Sequence, residues 1–136
     1  MEKREVIMDH YSNPRNRRRI NDGKYVVENT RNSSCIDNLD IYVNIQNDKI
    51  EDIAFEGEAC AISVSSASIM TSNLKGKSVL EAINYIENME AMLNNQDYNA
   101  NILGEAIVYE DTKNTSRKTC AWLPYEAVKK ILENYR

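Results

Sequence analysis

Cysteine occurs three times in this chain of 136 residues, at positions 35, 60 and 120, and an aspartate, Asp37, stands two residues after the first. Thiolates attack sulfur electrophiles and bind soft or borderline metals. Three of them with one carboxylate complete a tetrahedral site acceptable to zinc. Alternate side chains of an extended segment share a face, so Asp37 can present an oxygen to an ion that Cys35 also holds. The intervals of 25 and 60 residues contain no Cys-x-x-Cys knuckle, so spacing alone is weak evidence for a metal. Three isolated, inert thiols account for the same residue types equally well, because unpaired Cys behaves as a small hydrophobe and is often buried.

The elements around these residues narrow the alternatives. Glu2 to Tyr11 places Val6, Ile7, His10 and Tyr11 at helical spacing, and Asn13-Pro14 ends that helix because the residue before Pro avoids the α region. Tyr25 to Val27 reads as a short strand. Leu39, Ile41, Val43 and Ile45 alternate with Asp40, Tyr42, Asn44 and Gln46, the period of a half-buried strand. Asn47-Asp48 turns the chain into a second strand from Lys49 to Phe55, which makes a hairpin. Ala61 to Leu74 reads as a helix whose small residues, Ser63, Ser65, Ser66, Ala67 and Ser68, let a neighbour approach closely. Ser78 and Glu81 form a capping box for a helix with Val79, Ala82, Ile83, Ile86, Met89 and Leu93 on its apolar face. Asn94 to Asn114 reads as a polar excursion with a single turn of helix. A final helix carries Tyr125, Val128, Leu132 and Tyr135. Pro124 must lie in its first turn, which predicts a start near Ala121 with Cys120 at the cap.

This pattern predicts an α+β fold: a small three-stranded antiparallel sheet packed against segregated helices, in a single domain spanning 1–136. It places Cys35 in a polar loop before the first long strand, Cys60 at a strand-to-helix junction and Cys120 just before the last helix. Two thiols therefore lie at helix N-termini, where the dipole favours thiolate.

Composition excludes several classes. Hydrophobic residues make up 42 % and charged residues 28 %, as in an ordinary globular protein and unlike a disordered one. No apolar run approaches the ~18–20 residues needed to span a bilayer, so no membrane partner is expected. A net charge of −4 argues against general nucleic-acid binding. The opening MEKREVIMDHY carries charges where a secretion signal needs an apolar stretch, so a cytoplasmic location is expected.

The motifs in sequence are Asp9-His-Tyr-x-Asn-Pro-Arg-Asn16, Cys35-x-Asp37, Phe55-Glu-Gly-Glu-x-Cys60-x-Ile-Ser63, Ser66-Ala-Ser68, Leu74-Lys-Gly-Lys77 and a lone Cys before the final helix. Together, from about Val6 to Leu132, they resemble the U-type proteins of iron–sulfur cluster assembly, a family of IscU scaffolds and SufU sulfur-transfer proteins. The long interval between Cys60 and Cys120, the Phe55–Cys60 stretch, Thr119 and Arg117 make the chain more similar to SufU than to IscU. The family commonly has Gly where this chain has Ile36, which predicts a reshaped or less mobile loop.

By that resemblance, Cys35, Asp37, Cys60 and Cys120 bind one zinc ion. A SufS-like cysteine desulfurase delivers persulfide sulfur to Cys35, with Cys120 as the alternative acceptor, for transfer to a SufB-like cluster-building complex. The chain would thus be sulfurtransferase-like, a persulfide carrier that stimulates the desulfurase. The alternatives are a scaffold for a [2Fe–2S] cluster on the same residues and a non-catalytic adaptor whose zinc is structural. His10 reads as a helix-face or capping residue, the serines as packing residues, Trp122 and Tyr125 as core anchors, and Asp52 and Glu56 as outward strand residues. The run Arg15 to Arg19 reads as a solvated loop and as the best candidate for a partner patch, in which reversing Arg17 and Arg18 would leave the fold intact.

Overall fold

A computed structural model of the chain describes residues 2–31 and 37–135. The first helix, α1 (Lys3–Ser12), ends at Asn13, before Pro14, and buries Val6 and His10. Three strands follow, β1 (Val26–Asn29), β2 (Asn38–Gln46) and β3 (Lys49–Glu58), in an antiparallel sheet of order β1-β2-β3. Asn47 and Asp48 join β2 to β3 with φ of 53° and 60°. Two consecutive left-handed residues make the turn whose twist matches a hairpin, and Asn and Asp tolerate that region. Leu39, Ile41, Val43, Ile53 and Phe55 are fully buried. Tyr42, which the alternation points outward, is only 4 % exposed because in the central strand it lies between Val27 and Ala54.

The helix α2 (Ala61–Leu74) is the spine of the molecule, with ten buried residues. Its small side chains admit α1 on one side and α5 (Lys118–Tyr135) on another. Its serines do more than pack. Buried hydroxyls are costly unless bonded, and each of these is: Ser65 to Tyr109 at 2.6 Å, Ser66 to the Ala121 carbonyl at 2.7 Å, and Ser68 to His10 at 2.7 Å. The helix α3 (Val79–Leu93) opens with the expected box, Glu81 N–H to Ser78 Oγ at 3.1 Å and Ser78 N–H to Glu81 Oε1 at 3.0 Å. No helix among the described residues is long and apolar enough to cross a membrane.

Two expectations are corrected. The segment from 94 to 114 carries a short helix α4 (Ala100–Leu103) and a 3-10 helix from Gly104 to Thr112. Leu103, Ala106, Tyr109 and Thr112 are all buried, a spacing of three that eclipses side chains on one face of a 3-10 helix and escapes a search for period 3.6. The last helix begins at Lys118, so Pro124 lies nearly two turns inside it and Cys120 is its third residue. A proline there cannot donate to the carbonyl four residues back, that of Cys120. Ser63 of α2 supplies a hydroxyl to that carbonyl at 3.0 Å.

The arginines of the Arg15 to Arg19 loop are exposed, as expected, and Arg15, Arg17 and Arg18 are paired with carboxylates. Arg18 N–H donates to the Phe55 carbonyl at 2.9 Å and Phe55 N–H to that of Asn16 at 3.0 Å, so the loop runs along the edge of β3. Arg15 pairs with Asp9 at 2.8 Å and Arg17 with Glu56 at 3.1 Å. Arg18 pairs with Asp52, which also accepts from the Tyr25 hydroxyl at 2.5 Å and lies 3.4 Å from Lys75. Burial pushes the Asp52 carboxyl up, but Tyr25 and Arg18 outweigh it and hold it below the usual range. The Gly57 N–H, then Arg17, lower Glu56 likewise. Reversing Arg17 and Arg18 to Glu therefore sets like charges against these carboxylates and should cost about 1–3 kcal/mol of stability. Both carboxylates have depressed folded pKa values, so the wild-type advantage is present above the unfolded carboxylate pKa of about 4 and fades as pH falls through the lower folded values. Denaturant unfolding of the double variant at pH 7 and at pH 3, in low and high salt, checks this. Equal stability at pH 7 would show that the loop is merely solvated.

Candidate metal centre

The site is built where the start of β2, the end of β3 and the first turn of α5 meet. Gly57 makes the approach possible. Its φ is +131°, and a Cβ there would stand 2.2 Å from the Asn38 carbonyl oxygen. Only glycine lets β3 pass so close to the residue that follows Asp37. The chain then reaches Cys60, the N-cap of α2.

Asp37 is 1 % exposed. Its Oδ1 accepts from the Cys60 N–H at 2.8 Å, and its Oδ2 accepts from the Ser63 hydroxyl at 2.5 Å. A carboxylate at a helix N-terminus gains from the dipole and from the unshared amides there. Cys60 Sγ lies 3.7 Å from Asp37 Oδ2 and 3.6 Å from Ser63 Oγ. Cys120, in the first turn of α5, completes the cluster: one ligand atom each from Asp37, Cys60 and Cys120 lie within 4.8 Å of one another. Both cysteines are half-buried, sheltered yet within reach of a partner. Two soft sulfurs and one hard oxygen converging at this range suit zinc or iron, both of which accept mixed sulfur and oxygen or nitrogen donors.

Three of the four residues expected as ligands are thus brought together by elements far apart in sequence. The fourth, Cys35, lies outside the described residues, as does Ile36. His10 is elsewhere, buried between α1 and α2, with Nδ1 at 2.7 Å from Ser68 Oγ and Nε2 at 3.1 Å from Glu105. Ser63 is the residue that sequence reasoning missed. One local signal could have found it: its place three residues after an N-cap, where a side chain faces the cap.

A small antiparallel sheet backed by helices gathers Asp37, Cys60 and Cys120 at one end. The NifU-like N terminal domain family model covers residues 2–136, and the chain belongs to that family, which includes the IscU and SufU proteins of iron–sulfur cluster assembly. It is 37 % identical over 129 residues to the zinc-dependent sulfurtransferase SufU of Bacillus subtilis, covering 93 % of this chain and 86 % of that protein. It is 30 % identical over 130 residues to the iron–sulfur cluster assembly scaffold protein IscU of Thermotoga maritima, covering 95 % and 91 %. Among solved structures, the iron–sulfur cluster assembly scaffold protein for the SUF system (FiSufU) of Fervidobacterium islandicum matches with a TM-score of 0.85 and 33 % identity over 94 % of each chain.

Proposed function

We propose that this protein binds zinc through Cys35, Asp37, Cys60 and Cys120 and carries sulfur from a cysteine desulfurase to a cluster-building complex. The convergence of Asp37, Cys60 and Cys120 carries the reading. Zinc held by these residues would keep the thiols deprotonated at neutral pH. Cys35 is the proposed acceptor, with Cys120 the alternative, because Cys60 and Cys120 are built into helix starts. The Cys35 thiolate attacks the outer sulfur of the desulfurase persulfide. A new sulfur–sulfur bond forms on Cys35 as the bond within the partner's persulfide breaks, and the partner's cysteine leaves as thiolate, so no net oxidation occurs.

An open groove lined by Ile7, Met8, Ala61, Ile62 and Val108, with Lys3 and Asp111 also lining it, adjoins Cys60 through Ala61 and is the face proposed for the desulfurase. The cluster-scaffold reading draws support from the identity to IscU and from the soft donors, which also hold iron–sulfur units. Zinc analysis of purified protein, followed by persulfide labelling after incubation with a desulfurase and cysteine, tests the proposal. One zinc per chain and label on Cys35 are expected. Asp37→Ala should weaken zinc binding by at least the ~10–100-fold typical of a lost outer-shell contact. Unchanged zinc affinity in that variant would remove Asp37 from the site. A visible cluster spectrum after anaerobic reconstitution, with no label on any cysteine, would favour the scaffold.

A further inference from the structure

We propose that Ser63 is a positioning residue for the metal centre, setting the Asp37 carboxylate and the Cys120 turn in place relative to Cys60; the inference rests on the metal-binding reading above. Ser63 Oγ is within reach of groups on all three segments that supply candidate ligands. It is 2.5 Å from Asp37 Oδ2, 3.0 Å from the Cys120 carbonyl oxygen and 3.6 Å from Cys60 Sγ. The residue is completely buried, so water does not substitute for these bonds.

The geometry divides the work. Asp37 is gripped at two points, Oδ1 by the Cys60 amide and Oδ2 by the Ser63 hydroxyl, which fixes the plane of the carboxylate as well as its position. The Cys120 carbonyl is kept as an acceptor for Ser63 by Pro124, whose nitrogen carries no hydrogen. A hydroxyl has one proton and two lone pairs, so Ser63 donates to either the carboxylate or the carbonyl at any moment. It thereby ties the placement of Asp37 to that of the α5 turn bearing Cys120. Groups behind the ligands commonly tune metal affinity in this way.

The competing role is only to satisfy a carbonyl of α5, and Ser66 provides the comparison. It donates to the neighbouring carbonyl, that of Ala121, at 2.7 Å. The experiment measures zinc affinity by chelator competition, the cobalt(II) absorption spectrum and the melting temperature. It uses the full chain as wild type, Ser63→Ala, Ser66→Ala and the double variant Ser63→Ala with Pro124→Ala. The double variant returns an N–H to the Cys120 carbonyl but no donor to Asp37.

Ser63→Ala is expected to bind zinc ~10–100-fold more weakly, with altered cobalt ligand-field bands. Ser66→Ala should melt lower yet bind zinc within about threefold of wild type. The double variant should regain melting temperature over Ser63→Ala and keep the affinity deficit, and it carries the test if the single variant does not fold. The inference is overturned if Ser63→Ala binds as wild type, if Ser66→Ala loses as much, or if adding Pro124→Ala restores affinity. Wild-type protein that takes up no stoichiometric zinc, and whose cobalt form lacks thiolate charge-transfer bands, would overturn the metal reading and the inference together. Stoichiometric wild-type binding with an unaffected Ser63→Ala would overturn the inference alone.

Discussion

Gly57→Ala is expected to cost more than ~3 kcal/mol of stability and to disturb the candidate metal site. At φ +131° an L residue is strained, and the added Cβ would meet Asn38 O at 2.2 Å and Leu39 Cα at 3.1 Å. Both obstacles are backbone, so no side chain can swing away. Relief requires β3 to part from β2 at the Leu39–Gly57 pair, beside Asp37. Backbone strain alone is worth ~1–3 kcal/mol, and the clash adds to it, against a total stability of about 5–15 kcal/mol for a domain. Gly76→Ala is the matched control. Its φ is +85° but nothing lies within 4 Å of the added carbon, so it carries strain without collision. Thermal unfolding should show Gly57→Ala losing on the order of 10 °C or more and Gly76→Ala clearly less. Equal losses would mean that the close approach at Asn38 relaxes without consequence.

The second large effect is on zinc. Cys60→Ser should abolish tight binding while leaving the metal-depleted fold as stable as before. Cys60 is both a proposed sulfur donor and the N-cap of α2, and serine is among the best residues at an N-cap, so the substitution separates the two roles. The loss of affinity should exceed the ~10–100-fold of an outer-shell change, because a ligand itself is gone. In the wild type, zinc at a hundredfold excess over its Kd should add about 2.7 kcal/mol of stability, and this increment should vanish in the variant. Wild-type affinity should also fall as pH drops, since protons compete for the thiolates. A zinc-dependent rise in melting temperature equal in both proteins would exclude Cys60 as a ligand.

Much of this structure is written in local pattern. Alternation from Leu39 to Ile45 and the Asn47-Asp48 turn specify the hairpin, since strand period and left-handed tolerance are properties of adjacent residues. The Ser78–Glu81 box and the Asn13-Pro14 stop mark helix ends for the same reason. The helix from Ala61 to Leu74 has the bounds read from its residues. The chemistry of the site was also legible as residue types: thiols at helix starts and an aspartate beside a cysteine. The resemblance to the U-type family named the same residues, three of which the fold assembles within 4.8 Å.

What tertiary structure decided is where a local rule is overruled by a distant partner. Pro124 breaks the rule that proline stays in the first turn, and the carbonyl it deprives, that of Cys120, accepts from a serine 57 residues before it. The arginine loop looks unpaired because the acceptors of Arg18 and Arg17, Asp52 and Glu56, lie 34 and 39 residues further on. The 3-10 helix is fastened by Tyr109 to Ser65, a bond across 44 residues. Ser63 looks like a packing residue for the same reason. A side chain's own sequence sets what bonds it can make, but a buried hydroxyl or charge is satisfied by whatever the fold brings within 3 Å, and that proximity has no period along the chain.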